Sequence, residues 1–418
     1  MTPTILILLG GLGLMLVGVG LLGTLLGVRA TMATFSNLEI GSIMAGYYAG
    51  YIAGTILAPR LIRNVGHIRC FAAFAALGAA TSLGFGLLVH PATWLALRVL
   101  NGVCVVGLYM VVESWINEQS TGPARGRVFA LYMTSTLIAL AAGQFLLLAG
   151  DSSTMALFAL AAILVSVGVV PVALTRVTEP RIDVAMSVRL VQLFRISPLG
   201  AVGALCAGTV NGAFWGMAPV FGQRLALDEA HIAQLMSATI LGGALLQWPI
   251  GHLSDRVDRR LVLVAISLAT ATVAVLAGLS IIHGPVGLVP YAFAYGGLMF
   301  SLYGISVAYT NDHLHPGQVL EATRGLLLVY GIGALCGPLL AGLAMQGAGP
   351  VGLPAVSAAS AGALALYGLY RMTRRAAAPI AEQTEFVPMV RTSPVALEMH
   401  PDADVAPELD LPKPGSEN

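Results

Sequence analysis

Apolar runs of about 20 residues alternate with short charged turns along the whole chain, and that alternation leaves few folds open. Hydrocarbon offers a backbone N–H or C=O no partner, so a run of this length crosses a bilayer only as a helix bonded to itself. Only 10% of the 418 residues are charged and 57% are hydrophobic, against about 25% charged in soluble domains. The windows predict twelve helices, near 4–28, 42–62, 68–89, 92–116, 127–149, 153–175, 198–221, 232–253, 261–282, 286–309, 322–346 and 351–371. The expected fold class is therefore an all-α, multi-pass membrane protein. The first run is longer than a signal-peptide core of about 7–15 residues and has no basic segment before it, so it reads as an uncleaved first helix.

Charge sets the orientation. Arg29 and Arg224 alone fall on one side, Arg98 sits in a helix, and the other eighteen of the 21 basic residues fall on the opposite side. Positive charge stays in the cytoplasm, which places both termini there. No basic stripe suggests nucleic acid. Cys70, Cys104, Cys206 and Cys336 are far apart and suggest neither a disulfide framework nor a metal site. The pair His313 and His315 lies in a turn with Pro316 and reads as no metal site either. Residues 372–418 turn polar, proline-bearing and acidic and read as a disordered cytoplasmic tail.

The turn after the eighth window reads Gly251-x-x-x-Asp255-Arg256-x-Asp258-Arg259-Arg260. It resembles the signature loop of the major facilitator superfamily of transporters, Gly-x-x-x-Asp-Arg/Lys-x-Gly-Arg-Arg/Lys, with Asp258 standing where the family usually has glycine. Arg98-x-x-x-Gly102 is similar to a second motif of that family, early in helix 4. The resemblance implies twelve helices in two pseudo-symmetric six-helix bundles. An internal repeat agrees with it. The turn after helix 2 holds Pro59, Arg60, Arg63 and Gly66, and setting Gly66 on Asp258 gives an offset of 192 residues. In that first copy Arg63 replaces the acid and Pro59 the first glycine. The domains expected are an N-terminal bundle (1–176), a connector (177–196), a C-terminal bundle (197–371) and the tail. Gly46-x-x-x-Gly50-x-x-x-Gly54 in helix 2 and Gly333-x-x-x-Gly337 in helix 11 place glycines on one face each. Because the family joins helices 2 and 11 across the halves, these faces suggest either a sliding contact or static packing.

Ionisable groups inside a bilayer point to function by default. On helix 4, Arg98, Asn101, Gly102, Tyr109 and Glu113 share one side, and at 1.5 Å per residue Glu113 lies about 22 Å further along than Arg98. Arg98 reads as an anion anchor, a proton-coupling element or a structural hub. Glu113 is expected to pair with Arg60, Arg63 or Arg127 and latch the inner gate, supplying the carboxylate that the first loop lacks. The resemblance implies that helices 1, 4, 7 and 10 line a central cavity. It makes Asn211, Trp215, Tyr291 and Tyr295 candidate substrate contacts, with Gln144 and Gln247 beside them. Gly251, Asp255, Arg256, Arg259 and Arg260 are assigned to gating.

A closer likeness joins Pro59 to Ile62, Val65 to Arg69, Glu113-Ser114-Trp115-Ile116-Asn117, Arg125-Gly126-Arg127, Leu131-Tyr132-Met133 and Gly143-Gln144. These runs resemble the YcaD-like branch of bacterial transporters in the superfamily and imply an inner-membrane protein of unassigned substrate. The function expected is secondary active or facilitative transport of a small solute by alternating access. The alternatives are proton-coupled efflux of hydrophobic compounds and a non-transporting sensor on the same fold. No enzyme motif, phosphate loop or cofactor site occurs in the sequence, so a gradient is the expected driving force. Glu113 is the one acid within a helix body: either it carries protons or the protein is a facilitator. Helix 5 has only Gly143-Gln144 of the glycine-rich motif of the family's antiporters, which weighs against antiport. A monomer in lipid is expected.

Overall fold

The structure is a computed structural model of the 418-residue chain. It describes residues 3–120, 124–175, 190–281, 287–314, 318–374, 379, 383–384, 386–387 and 393–399. Most of the 177–196 connector, His315, and the end of the tail lie outside the described residues.

Among the described residues the fold is helical, with twelve helices of 19 to 30 residues. The first six are α1 (Pro3–Met32), α2 (Asn37–Val65), α3 (His67–Leu87), α4 (Pro91–Glu118), α5 (Ala124–Phe145) and α6 (Ala156–Leu174). The second six are α7 (Pro198–Arg224), α8 (Glu229–Ser254), α9 (Arg259–Ser280), α10 (Leu288–Asn311), α11 (Val319–Ala348) and α12 (Gly352–Met372). Ten stretches are long and apolar enough to cross a membrane. One of these, Val319–Met372, contains both α11 and α12. Helix α8 is not among them, since Glu229, His231, Gln234, Gln247 and His252 dilute its apolar surface.

Local chemistry sets the helix ends. Ser36 opens α2 with a capping box, its side chain accepting from the Glu39 N–H while the Glu39 carboxylate accepts from Ser36. Asp228 and Asp258 cap α8 and α9 in the same way, each accepting a backbone N–H in the first turn. Asp258 thus occupies the family's glycine position as an N-cap. Burial works against its charge, but the bonds from Arg260 outweigh it and hold the carboxyl below the usual carboxylate range.

The 192-residue offset recurs in three dimensions. The starts of α2 and α8 (37 and 229) and of α3 and α9 (67 and 259) are 192 residues apart. The packing repeats with it: α2 lies on α4 as α8 lies on α10. Gly50 meets the Val99 carbonyl, and Gly242, 192 residues on, meets the Phe293 carbonyl. A side chain at either glycine would overlap that oxygen, so backbone contact between these helices requires glycine there.

Of the two readings of the glycine faces, close packing is the one whose contacts are present. Gly46, Gly50 and Gly54 pack on Leu95, Val99 and Val103 of α4, within their own half. Gly333 and Gly337 likewise pack on Leu205 and Thr209 of α7. Each stripe packs within one half. Helices α2 and α11 do meet across the halves, but at Gly41, against Pro338 and Gly342. The halves also meet through α5 with α8, α1 with α7 and α2 with α7.

A few described residues of the tail lie against the bundle. Phe386 and Ser393 through Leu397 are buried against the bundle, with a short 3-10 turn over Ala396–Met399. Composition predicts a solvated chain there. Specific seats on the bundle override it.

Candidate functional site

The charged centre of the bundle is Arg98. Only 8% exposed, it stands over the Tyr47 ring at 4.6 Å and donates through Nη1 to Asn101 Oδ1 at 3.2 Å. Asn101 in turn donates to Thr81 Oγ1 of α3 at 3.2 Å. The Arg98-x-x-x-Gly102 spacing has a physical reason. Gly102 sits on the Tyr47 carbonyl with no room for a side chain, so α4 lies directly on α2. One turn earlier, the guanidinium then meets the Tyr47 ring. Such a cation–π contact is worth about 2 kcal/mol when desolvated and holds the planar group in one orientation.

Arg98, Tyr47, Tyr48, Thr24 and Gly23 of the first half face Trp215 and Gly216 of α7 across a cavity of about 30 Å³. A second cavity of about 40 Å³ lies further along α2, lined by Tyr48, Tyr51, Thr55, Arg324, Tyr330 and Pro394. Tyr48 borders both. Each is far smaller than the roughly 300–1,000 Å³ of a ligand-sized pocket.

Of the residues expected at the cavity, Arg98 and Trp215 line it together. Asn101 supports Arg98 from behind, and it lines, with Tyr109, a small pocket inside the first half. Gln144 forms part of the wall rather than the lining: it accepts from Thr24 and donates to the Gly20 and Leu140 carbonyls, tying α5 to α1. Four of the expected residues lie away from this cavity. Asn211 donates to Ala207 O and Met299 O inside the second half. Gln247 donates to Phe300 O at 2.8 Å, joining α8 to α10. Tyr291 and Tyr295 line a separate cavity of about 80 Å³ within the second half, where Tyr295 donates to Ser357 of α12. In each case the helix faces its own bundle at that turn, which the count of helices does not reveal. Sequence reasoning missed Thr24, Tyr47 and Tyr48. The signal present was the Tyr47-Tyr48-x-x-Tyr51 run on the glycine-rich helix.

The two ends of the bundle differ. At the arginine-poor end Arg224 of α7 donates to Asn37 Oδ1 at 3.0 Å and to Phe35 O at 3.2 Å. Asn37 donates to Met345 O at 3.0 Å and to Gln346 Oε1 at 3.1 Å. These bonds join the starts and ends of α2, α7 and α11, so the halves are latched there. Arg224 was missed as a site residue, although it is one of only two basic residues on that side.

At the basic end the signature turn is an ion-pair junction. Arg259, 1% exposed, binds Asp255 Oδ1 at 2.7 Å, Asp312 Oδ1 and the Ala308 carbonyl. Arg260 pairs with Asp258 at 2.7 Å, while Arg256 is exposed. Gly251 lies against the Phe386 ring of the tail. The junction ties α8, α9 and α10 together. Burial raises the Asp312 carboxyl above its ordinary range against the opposing pull of Arg259.

Glu113 does not make the expected latch. Arg60, Arg63 and Arg127 are exposed at the basic end, where water solvates their charge better than a buried contact would. Glu113 is instead fully buried and takes hydrogen bonds from the Tyr132 hydroxyl and from the backbone and hydroxyl of Ser393. Among the described residues no cluster of three or more His, Cys, Asp or Glu is arranged for a metal.

Comparison with known proteins agrees with this architecture. The chain is 28% identical over 347 residues to an uncharacterised MFS-type transporter, YcaD, of Escherichia coli K12, covering 82% of this chain and 90% of that protein. The nucleoside transporter NupG superposes with a TM-score of 0.74 at 15% identity, over 89% of this chain and 99% of that one. A bacterial homologue of the human lysosomal transporter Spinster, in an inward-facing occupied conformation, gives 0.69 at 15% identity, over 91% and 97%. At such identities the likeness shows the fold alone. The family model described as Major Facilitator Superfamily matches residues 7–326 and 200–399. The chain belongs to the Major Facilitator Superfamily of transporters.

Proposed function

We propose that this protein moves a small solute across the bacterial inner membrane by alternating access, binding it between the halves at Arg98, Tyr47, Tyr48 and Trp215. All twelve helices cross the bilayer, with both termini in the cytoplasm as the arginine distribution requires. The observation that carries the reading is the cationic, aromatic cavity on the boundary of two helix bundles, latched at one end by Arg224 and Asn37. A guanidinium held face-on to a ring in a low-dielectric site offers a fixed planar cation to a ligand at little reorganisation cost. Rocking of the two six-helix bodies then exposes this site to each side in turn. The chain has no nucleotide-binding motif, so the driving force is the solute gradient or a coupled ion.

The test is ligand-induced thermal stabilisation of the purified protein across a library of metabolites and drugs, nucleosides and sugars included. Uptake of each hit into proteoliposomes follows. Arg98→Ala and Trp215→Ala are expected to abolish both responses. A ligand that stabilises the protein yet never crosses the vesicle would make it a sensor, and binding unaffected by both substitutions would place the site elsewhere.

A further inference from the structure

The C-terminal tail, set aside by composition, makes the most specific contacts at the basic end. Thr384 donates its N–H to Asp312 Oδ1 at 3.0 Å, and its hydroxyl lies 3.1 Å from the same oxygen. Arg259 donates to the Thr384 carbonyl. The Phe386 N–H donates to Asp255 Oδ1 at 3.0 Å, and the Phe386 ring fills a notch between Gly251 of α8 and Gly304 of α10. All of these partners belong to the second half.

A few residues on, the partners change. Ser393 donates its backbone N–H and its hydroxyl to Glu113 of α4. The turn that follows packs on α4 and α5 of the first half and on α11 of the second. Val395, Ala396 and Leu397 are at most 2% exposed. Pro394 forms part of the wall of the 40 Å³ cavity, beside Thr55, Arg324 and Tyr330. The described residues of the tail therefore touch both halves.

We infer that the tail is an autoinhibitory strap: Thr384, Phe386 and Ser393–Leu397 together seal the basic-end mouth of the central cavity and fix the separation of the halves. The signature turn supplies the seat, since Gly251, Asp255 and Arg259 each touch the strap. Two physical consequences follow. A solute cannot reach Arg98 from the basic end while Pro394 and the turn after it stand in the path. Nor can the halves close over that end, because the strap occupies the space between α4 and α11. The strap is also built to release. Its anchors are a handful of hydrogen bonds and two apolar inserts in a stretch whose composition favours a solvated chain.

The consequence for transport rests on the reading above; the contact itself is tested without any substrate. Cys70, Cys104, Cys206 and Cys336 are replaced by alanine, and Thr55→Cys places one thiol behind the strap. Labelling of the purified protein by a hydrophilic maleimide is then timed in three chains: full length, truncated after Arg374, and Phe386→Ala/Ser393→Ala. The expected result is labelling at least tenfold faster in the truncated chain and in the double variant. A synthetic peptide spanning residues 376–418 is expected to slow the truncated chain again. Should truncation impair folding, the double variant decides alone. Equal or slower labelling in the altered chains overturns the strap. If labelling accelerates but no ligand ever crosses a vesicle, the strap stands and the transport reading fails.

Discussion

Arg259→Gln is the perturbation whose size can be worked most directly. The guanidinium is 1% exposed and neutralises two carboxylates: Asp312, also buried at 2%, and Asp255, at 23%. Removing one partner of a buried pair costs about 3–5 kcal/mol, because the other charge stays buried without compensation. Asp255 adds about 0–1 kcal/mol at most, since water reaches it. Asp312 keeps the N–H of Thr384, which brings the expected loss toward the lower end, about 3 kcal/mol. The loss also has a pH signature. The Asp312 carboxyl is already raised in the folded state by burial, with Arg259 pulling it back, so removing Arg259 raises it further. A carboxyl raised on folding contributes stability that is fully present below its unfolded value, about 3.9, and is lost as pH rises through the folded value. The deficit of the variant is therefore small in acid and grows toward neutrality. Denaturant titration in mixed micelles at pH 5 and pH 8 measures it, with Asp312→Asn and the double variant completing the cycle. The double variant should recover most of the loss at pH 8. A deficit equal at the two pH values, or untouched by Asp312→Asn, would refute the argument.

Other perturbations are as direct. Gly50→Leu drives a side chain into the Val99 carbonyl and should cost about 3 kcal/mol or more in the same titration. Gly13→Ala has open space and should be neutral or stabilise by about 0.5–1 kcal/mol. Asp258→Ala removes the α9 cap and should cost about 1 kcal/mol at pH 7. Because that carboxyl is depressed in the folded state, its contribution is present above the unfolded value, so the difference between variant and parent should vanish as pH falls through the folded value. Arg224→Ala should free the arginine-poor end, read as faster maleimide labelling of Gly23→Cys in cysteine-free protein; an unchanged rate would show that the bonds to Asn37 and Phe35 do not hold that end shut.

The site was partly legible in advance. Arg98 and Trp215 were found because a cation in an apolar helix is costly wherever it stands, and because the superfamily resemblance singled out helix 7. Gln247, Asn211, Tyr291 and Tyr295 lie away from the Arg98 cavity for one shared reason. A helix buried all round carries no polar face to show which neighbour each turn addresses, and here those turns address their own bundle. Glu113 was correctly singled out as the exceptional acid, but its partner was sought among nearby arginines. Those arginines gain more from water, and the carboxylate is reached by a serine 280 residues away.

Length and periodicity alone determined that this chain is a set of apolar helices, because an unbroken apolar run of about 20 residues satisfies its own backbone in hydrocarbon as a helix. The 192-residue echo likewise announced the duplicated halves before any coordinate. Tertiary structure decided which glycines separate the halves and which merely let neighbours touch. It also decided that Tyr47 faces Arg98, and that Phe386 and Ser393–Leu397 of a polar tail are seated. Those outcomes depend on rotation about each helix axis and on meetings between distant segments, where a few ångströms choose the partner and composition does not.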